Sequence, residues 1–454
     1  MSIFREYDIR GIFEKELNKE IVFNIGVNIA NEIKSKGENS IAIGYDARSH
    51  SPILFEWLCK GIAFNSDIAI YDMGMIPTPV AYFALYNFES LHSSIMITGS
   101  HNPKEYNGFK ITLKKEPFYG KNIRKLGENI LKNKILFKET KPNISNINAL
   151  EKYIDFLTSH FANLKNFREK IAIDCGNGVA GLAIKNVLDN LNISYLPLYF
   201  EPDGTFPNHH PDPSEEKNLM HLKNAMKENG INIGIAFDGD ADRLALISKN
   251  YSFKGDELAI LFAKEMAKNG IKPLIIGEVK CSSIMYDEIN KIGKALMYKT
   301  GHSNLKVKLK ETNAHLAAEM SGHIFFNDRY FGYDDAIYSA FRALELFLNS
   351  SVNEVEDFIK SLPKMYSTPE EKIESSEEEK FEIIRNLALK LKNPPRDFPK
   401  IINIISIDGL RVIFENGWGL IRASNTTPVL VTRFEASSKE LAETYKQKML
   451  SLIK

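Results

Sequence analysis

The run Ile231-Asn232-Ile233-Gly234-Ile235-Ala236-Phe237 leads directly into Asp238-Gly239-Asp240-Ala241-Asp242-Arg243. An apolar stretch of strand length, closed by a charged turn, predicts a buried strand over 231–237 with a loop at its carboxyl end. Three carboxylates at alternate positions of that loop can converge on one centre, and hard oxygen ligands of this kind suit Mg²⁺ or Mn²⁺. A calcium EF-hand loop would need Gly at its sixth position and Glu at its twelfth. Those positions hold Arg243 and Lys249, so that reading fails. A solvated acidic turn is the plain alternative, but three like charges packed after a buried strand repel one another without a cation. Arg243, beside the cluster, suits a phosphate or a charge-balancing role.

Working outward, short β-branched runs alternate with amphipathic helical stretches. Residues 15–37 have apolar positions at helical spacing and stop at Gly37. They lead into an apolar run at 40–46, a helix over 51–65 and strands over 67–72 and 92–98. The order restarts at 170–178, with helix 179–190, strand 193–200 and helix 214–229 leading to the quoted strand. It restarts again with helix 255–269, strand 273–280, helix 282–292, strand 294–300, helix 303–312 and strand 315–320. Such alternation predicts parallel sheets with crossover helices. Polar, proline-bearing stretches at 141–150 and 365–380 read as linkers. Beyond them, helix 377–392, strands at 401–406, 410–415, 418–423 and 429–435, and helix 438–453 predict an α+β domain. The fold class is therefore α/β, with three similar mixed domains over 1–145, 146–250 and 251–366, and a C-terminal α+β domain over 367–454.

Four further stretches carry reactive groups. Thr98-Gly99-Ser100-His101-Asn102-Pro103 follows a strand, where open α/β sheets place ligands; Lys110 lies ten residues beyond Ser100. A hydrolase nucleophile elbow would need Gly at 98 and 102, which are Thr and Asn. Ser100 reads equally as a turn residue or as a nucleophile; a phosphoryl carrier there would need a nearby cation, which the aspartate loop could supply. Arg422-Ala423-Ser424-Asn425-Thr426-Thr427-Pro428 offers a guanidinium, hydroxyls, an amide and loop N–H groups, a cradle for a phosphate or a plain hairpin turn. Glu319-Met320-Ser321-Gly322-His323 pairs groups suited to sugar hydroxyls with a proton-transfer candidate, His323. Thr300-Gly301-His302-Ser303 and Phe4-Arg5-Glu6-Tyr7-Asp8-Ile9-Arg10-Gly11 are ambiguous by composition.

Composition narrows the function. Among 454 residues, Lys+Arg and Asp+Glu are 58 each, which argues against a nucleic-acid partner. Three scattered cysteines, Cys59, Cys175 and Cys281, make neither a disulfide framework nor a zinc-thiolate site. The most apolar longer region, 67–88, is interrupted by Asp67, Asp72, Pro77 and Pro79, and the N-terminus lacks the apolar stretch of a signal peptide. A cytoplasmic protein without a membrane partner is expected. The P-loop motif GxxxxGK[ST] is missing, which gives an ATP-dependent reading no support.

In order and spacing, FREYDIRG (4–11), TGSHNP (98–103), DGDADR (238–243), EMSGH (319–323) and RASNTTP (422–428) together resemble the α-D-phosphohexomutase superfamily. Glu319-Met320-Ser321 and the phosphate loop look most like its bacterial phosphomannomutase/phosphoglucomutase branch. The resemblance implies four domains around a central cleft and one Mg²⁺ held by Asp238, Asp240, Asp242 and phosphorylated Ser100. It implies phosphoryl transfer between O1 and O6 of hexose phosphates through a hexose 1,6-bisphosphate, with glucose 1,6-bisphosphate or an equivalent as activator. It assigns Arg422, Ser424, Asn425 and Thr426 to the distal phosphate, and Glu319 and Ser321 to the sugar. Tyr7, Arg10, His101, Lys110 and Arg243 match positions around the phosphoserine; Lys280, Thr300, Gly301 and His302 match the cleft. Lys110 and His323 are the general acid/base candidates. Ala241 stands where Gly is commoner, which predicts an ordinary backbone at that position because alanine disfavours positive φ. Phosphoglucosamine mutase, a non-catalytic sugar-phosphate sensor and a metal-dependent phosphatase are the competing functions, and a monomer or weak dimer is expected.

Overall fold

The computed structural model describes residues 3–425 and 427–453. The chain divides into two compact units, one of Met1–Gly255 with Ser321–Glu356 and one of Asp256–Met320 with Asp357–Lys454.

In the first unit, strand Ser40–Tyr45 pairs in parallel with Ala69–Met75 on one side and with Ser94–Ile97 on the other. Strand Tyr106–Leu113 returns antiparallel to Ser94–Ile97, and Ile9–Ile12 pairs antiparallel along its other edge. Isoleucines at 41, 43, 95 and 97 bury one face with helices Lys19–Ser35 and Ser51–Ile62, and Ala42 and Met96 are buried on the other, so these strands read as apolar runs because both faces are covered. A second sheet places Ile233–Phe237 parallel to Ile171–Asp174 and antiparallel to Leu244–Ser248.

Two expectations change here. The sheets are mixed in direction, and the aspartate loop is a hairpin: Phe237 pairs with Leu244, and residues 238–243 form the connection. The stretch 141–150, read as a linker, carries secondary structure of its own. Residues Ile144–Asn146 pair in parallel with Ile70–Asp72 and extend the first sheet, and helix Ala149–His160 begins within the same stretch. The polar character of 144–146 reflects an exposed edge strand.

In the second unit, Leu274–Glu278 lies between parallel strands Lys294–Tyr298 and Leu316–Ala318. The C-terminal sheet is antiparallel throughout, ordered Tyr366–Ser367, Val429–Ala436, Gly417–Ala423, Leu410–Phe414 and Ile401–Ile405. Helices Glu379–Lys390 and Lys439–Ser451 contribute Leu387, Ala442, Tyr445 and Met449 to its core. The other stretch read as a linker, 365–380, also contributes a strand: Glu371–Glu374 pairs with Val429–Thr432. Alternating exposure along that strand hid it among polar residues.

Candidate active site

In the first unit, Ser100 sits on the loop between Ile97 and Tyr106, which crosses between antiparallel strands. Its backbone is left-handed, φ +49, an uncommon state for a residue with a Cβ. Buried Arg48 supplies the restraint. Its guanidinium donates to the carbonyls of Ser100 (2.9 Å), Asn102 (2.7 Å) and Pro103 (2.7 Å), while its Nε donates to Asp46 (3.1 Å). Asp46 also accepts the N–H of Gly99 (2.9 Å). A Cβ on Gly99 would lie 2.3 Å from Arg48 Nε, so glycine there lets the guanidinium pass under the loop. Arg48→Lys, which has no planar fork, is expected to destabilise the fold by about 3 kcal/mol. It should lower turnover too, as thermal unfolding and steady-state rates would show.

Ser100 Oγ donates to Asp238 Oδ2 at 2.9 Å and lies 3.1 Å from His101 Nδ1. Burial, with Arg243 and Arg10 nearby, holds His101 well below its ordinary pKa. Arg10 pairs with Asp8 and also contacts Asn102 and the Gly99 carbonyl. Half-buried Tyr7 immediately precedes that pair.

Asp238, Asp240 and Asp242 are completely buried, and one carboxylate oxygen of each lies within 4.8 Å of the others. Asp238 Oδ1 accepts the N–H groups of Asp242 (3.0 Å) and Arg243 (3.1 Å), which curls the loop around it. Asp240 Oδ2 accepts from Thr78 Oγ1 (2.7 Å), and its carbonyl accepts the Thr78 N–H (2.9 Å). Asp240 Oδ1 is buried without a hydrogen-bond partner. Lys110, on the strand paired with Ser94–Ile97, reaches Asp240 at 2.8 Å and also touches Asp242. These carboxylates hold its ammonium well above its usual pKa despite the opposing effect of burial. The Asp238 carboxyl is driven well upward, first by burial and then by Asp242 and Asp240. Three carboxylates against the cations of Lys110 and Arg243, with a buried oxygen of Asp240 left unpaired, fit a divalent cation. His323 Nε2 lies 3.2 Å from Asp242 Oδ1 and 3.3 Å from Arg243 Nε, and its Nδ1 lies 3.2 Å from Ser321 Oγ.

Ala241 corrects the expectation from its side chain: its φ is +62. The turn needs the left-handed conformation whichever residue occupies it, so the methyl group is accommodated at a conformational cost.

In the second unit, Glu319 Oε1 accepts the N–H of Gly301 at 2.6 Å. Thr300 donates its hydroxyl to Glu278 (2.7 Å) and its N–H to Asp408 (3.0 Å). Lys280 Nζ lies 3.2 Å from Glu370 and 3.8 Å from Glu278. Helix His302–Thr312 begins at His302. Arg422 pairs with Asp408 through Nε (3.1 Å) and Nη2 (3.2 Å). Ser424 and Asn425 lie on the turn between Gly417–Ala423 and Val429–Ala436, with Ser424 Oγ 2.9 Å from Thr427 Oγ1. Thr426 lies outside the described residues. Buried Lys380 donates to the carbonyls of Ser424 (2.7 Å) and Thr427 (3.1 Å), fastening this turn to helix Glu379–Lys390.

The chain matches four consecutive models described as phosphoglucomutase/phosphomannomutase: alpha/beta/alpha domain I over residues 1–135, domain II over 151–252, domain III over 254–366 and the C-terminal domain over 372–452. The chain belongs to the phosphoglucomutase/phosphomannomutase family. A phosphomannomutase/phosphoglucomutase of Pseudomonas aeruginosa is 41% identical over 98% of this chain and 94% of its own length. A phosphoglucomutase of Neisseria meningitidis serogroup A is 40% identical over 100% and 96%. A solved phosphoglucomutase/phosphomannomutase family protein of Burkholderia thailandensis superposes with a TM-score of 0.89 at 35% identity, covering 99% of this chain and 96% of that one. This chain is accordingly an enzyme, a mutase of carbohydrate metabolism. Among the described residues no helix is long and apolar enough to cross a membrane.

Within the first unit, the fold gathers Ser100, His101, Lys110, the three aspartates, Arg243, Ser321 and His323 around one buried acidic group. Within the second, Thr300, Gly301 and Glu319 join one hydrogen-bonded group with Glu278, Asp408 and Arg422. Arg48, Thr78, Glu278, Lys380 and Asp408 escaped sequence reasoning. Only Glu278, an acid ending an apolar run, left a local signal.

Proposed function

We propose that this chain interconverts the 1- and 6-phosphates of mannose and glucose by way of phosphorylated Ser100 and a hexose 1,6-bisphosphate. The carrying observation is Ser100 Oγ, 2.9 Å from Asp238 within a buried group of three aspartates. In the first half-reaction the bond from Ser100 Oγ to phosphorus breaks and a bond from the sugar O6 to phosphorus forms, the O6 proton leaving. In the second, the bond from O1 to phosphorus breaks, Ser100 Oγ regains the phosphoryl group and O1 takes up a proton. No inorganic phosphate is released, and the sugar leaves as its 6-phosphate.

Asp238, Asp240 and Asp242 are the residues that would hold Mg²⁺, which supplies charge neutralisation at the transferred phosphoryl group. Lys110 and His323 are the candidates for moving protons at the sugar hydroxyls; both contact Asp242. Arg10 and Arg243 flank the Ser100 loop as cations for phosphoryl oxygens. In the second unit, Arg422, Ser424, Asn425 and Thr426 would take the phosphate that is not reacting. Glu319, Ser321, Lys280 and His302 would contact the sugar, and its two orientations call for hydrogen-bonding groups that accept either pose. A cytoplasmic enzyme acting on small hexose phosphates fits the family and the balanced charge.

The test is a coupled assay with Mg²⁺ and a trace of glucose 1,6-bisphosphate, comparing mannose, glucose and glucosamine 1-phosphates while following free phosphate. Conversion of the first two without phosphate release is expected. Conversion of glucosamine 1-phosphate alone would transfer the chain to that substrate. Stoichiometric phosphate release would make it a phosphatase, and silence on all three would leave a sensor.

A further inference from the structure

Two buried acids stand side by side at Asp334 and Asp335 and face different partners. The carboxylate of Asp334 groups with Asp242 and His323. Asp335 faces a cluster of tyrosines. Its two oxygens lie 2.8 and 2.9 Å from the donating hydroxyl of Tyr153, and its Oδ2 accepts the hydroxyl of Tyr330 at 2.8 Å. Its Oδ1 also caps helix Ala336–Glu345 by accepting the N–H of Tyr338 at 2.8 Å.

The next residue links this network to the aspartate hairpin. The N–H of Ala336 donates to the carbonyl of Ala241 at 3.2 Å, the left-handed residue between Asp240 and Asp242. A second support reaches the same hairpin from helix Thr78–Asn87. Thr78 holds Asp240 by both its hydroxyl and its N–H, and Tyr82 of that helix packs on Tyr333 with ring centroids 5.3 Å apart. Tyr333 in turn donates to Tyr330 at 2.5 Å. Both supports of the hairpin therefore run into the cluster centred on Asp335. Burial pushes the Asp335 carboxyl up to about 6, so placing an acid there has a stability cost that a neutral helix cap would avoid.

We propose that Asp335 is a positioning residue for the aspartate hairpin: by gathering Tyr153, Tyr330 and the start of helix Ala336–Glu345, it fixes the Ala336 N–H against the Ala241 carbonyl and holds the turn on which Asp240 and Asp242 converge. The inference rests on the reading of the three aspartates as a divalent-cation site.

Mn²⁺ binding followed by electron paramagnetic resonance on the purified full chain tests it without any turnover. Asp335→Asn is expected to weaken Mn²⁺ binding about tenfold, as loss of a group that orients metal ligands does. KM for hexose phosphate should stay within about twofold. The Tyr153→Phe/Tyr330→Phe double variant, which keeps the acid and removes its phenols, is expected to weaken Mn²⁺ in the same direction. Folded variants that bind Mn²⁺ as tightly as the wild type would overturn the positioning role, whatever their melting temperatures. If Asp335→Asn does not fold, unchanged Mn²⁺ affinity in the double phenylalanine variant overturns it alone. A wild-type chain that takes up no Mn²⁺ would overturn the metal reading instead.

Discussion

Ser100→Ala is expected to reduce mutase turnover by about four orders of magnitude or more, even with catalytic hexose 1,6-bisphosphate present. The variant has no atom to carry the phosphoryl group between the two sugar oxygens. Transfer of labelled phosphate from the bisphosphate to the protein should disappear with turnover. The fold should survive, because the loop is held chiefly through backbone carbonyls: Arg48 binds those of residues 100, 102 and 103, and none of these bonds uses the serine hydroxyl. Alanine at φ +49 carries much the same backbone strain as serine, so the melting temperature should move little. Full turnover by Ser100→Ala would sink the phosphoserine reading.

Asp238→Asn should separate catalysis from stability. Turnover is expected to fall about a hundredfold or more as one of three charged ligands is lost. Mg²⁺ should raise the melting temperature of the wild type, because it binds the folded chain and not the unfolded one; in Asp238→Asn that increment should shrink or vanish. Metal-free Asp238→Asn, by contrast, should melt at or above the metal-free wild type. Asp238 is the acid whose ionisation costs most there, since burial comes first among the causes and Asp242 and Asp240 add repulsion. Asparagine keeps an oxygen for the N–H groups of Asp242 and Arg243 and removes a charge. A metal-free variant that melts several degrees lower, with its Mg²⁺ increment intact, would show that Asp238 serves the fold alone.

The same hairpin shows how far linear reading reaches. The buried strand Ile233–Phe237 and the acids that follow it are legible because an apolar run and a charged turn are local patterns. The return strand Leu244–Ser248 is harder to see, because it starts directly after the charged motif with no loop to set it apart. Ala241 misled because alanine's preference is intrinsic, whereas the φ of +62 is imposed by a closed hairpin whose carbonyls and N–H groups are tied to Thr78, Asp238 and Ala336. Strands 144–146 and 371–374 read as linkers because an edge strand need not be apolar.

Residue type and spacing brought out the candidate groups for the proposed chemistry: the serine, the three aspartates, and the arginine and hydroxyls of the 422–428 stretch. They also established the alternation of strands and helices, since period and turn chemistry act over a few residues. How those groups are held depended on the folded chain. Arg48 reaches Ser100 across 52 residues, Thr78 reaches Asp240 across 162 and Tyr153 reaches Asp335 across 182. Such bonds join groups that share no local pattern. Their partners become neighbours only when sheets pair and helices pack, so the conformation of Ser100 and the convergence of the aspartates are properties of the packed molecule.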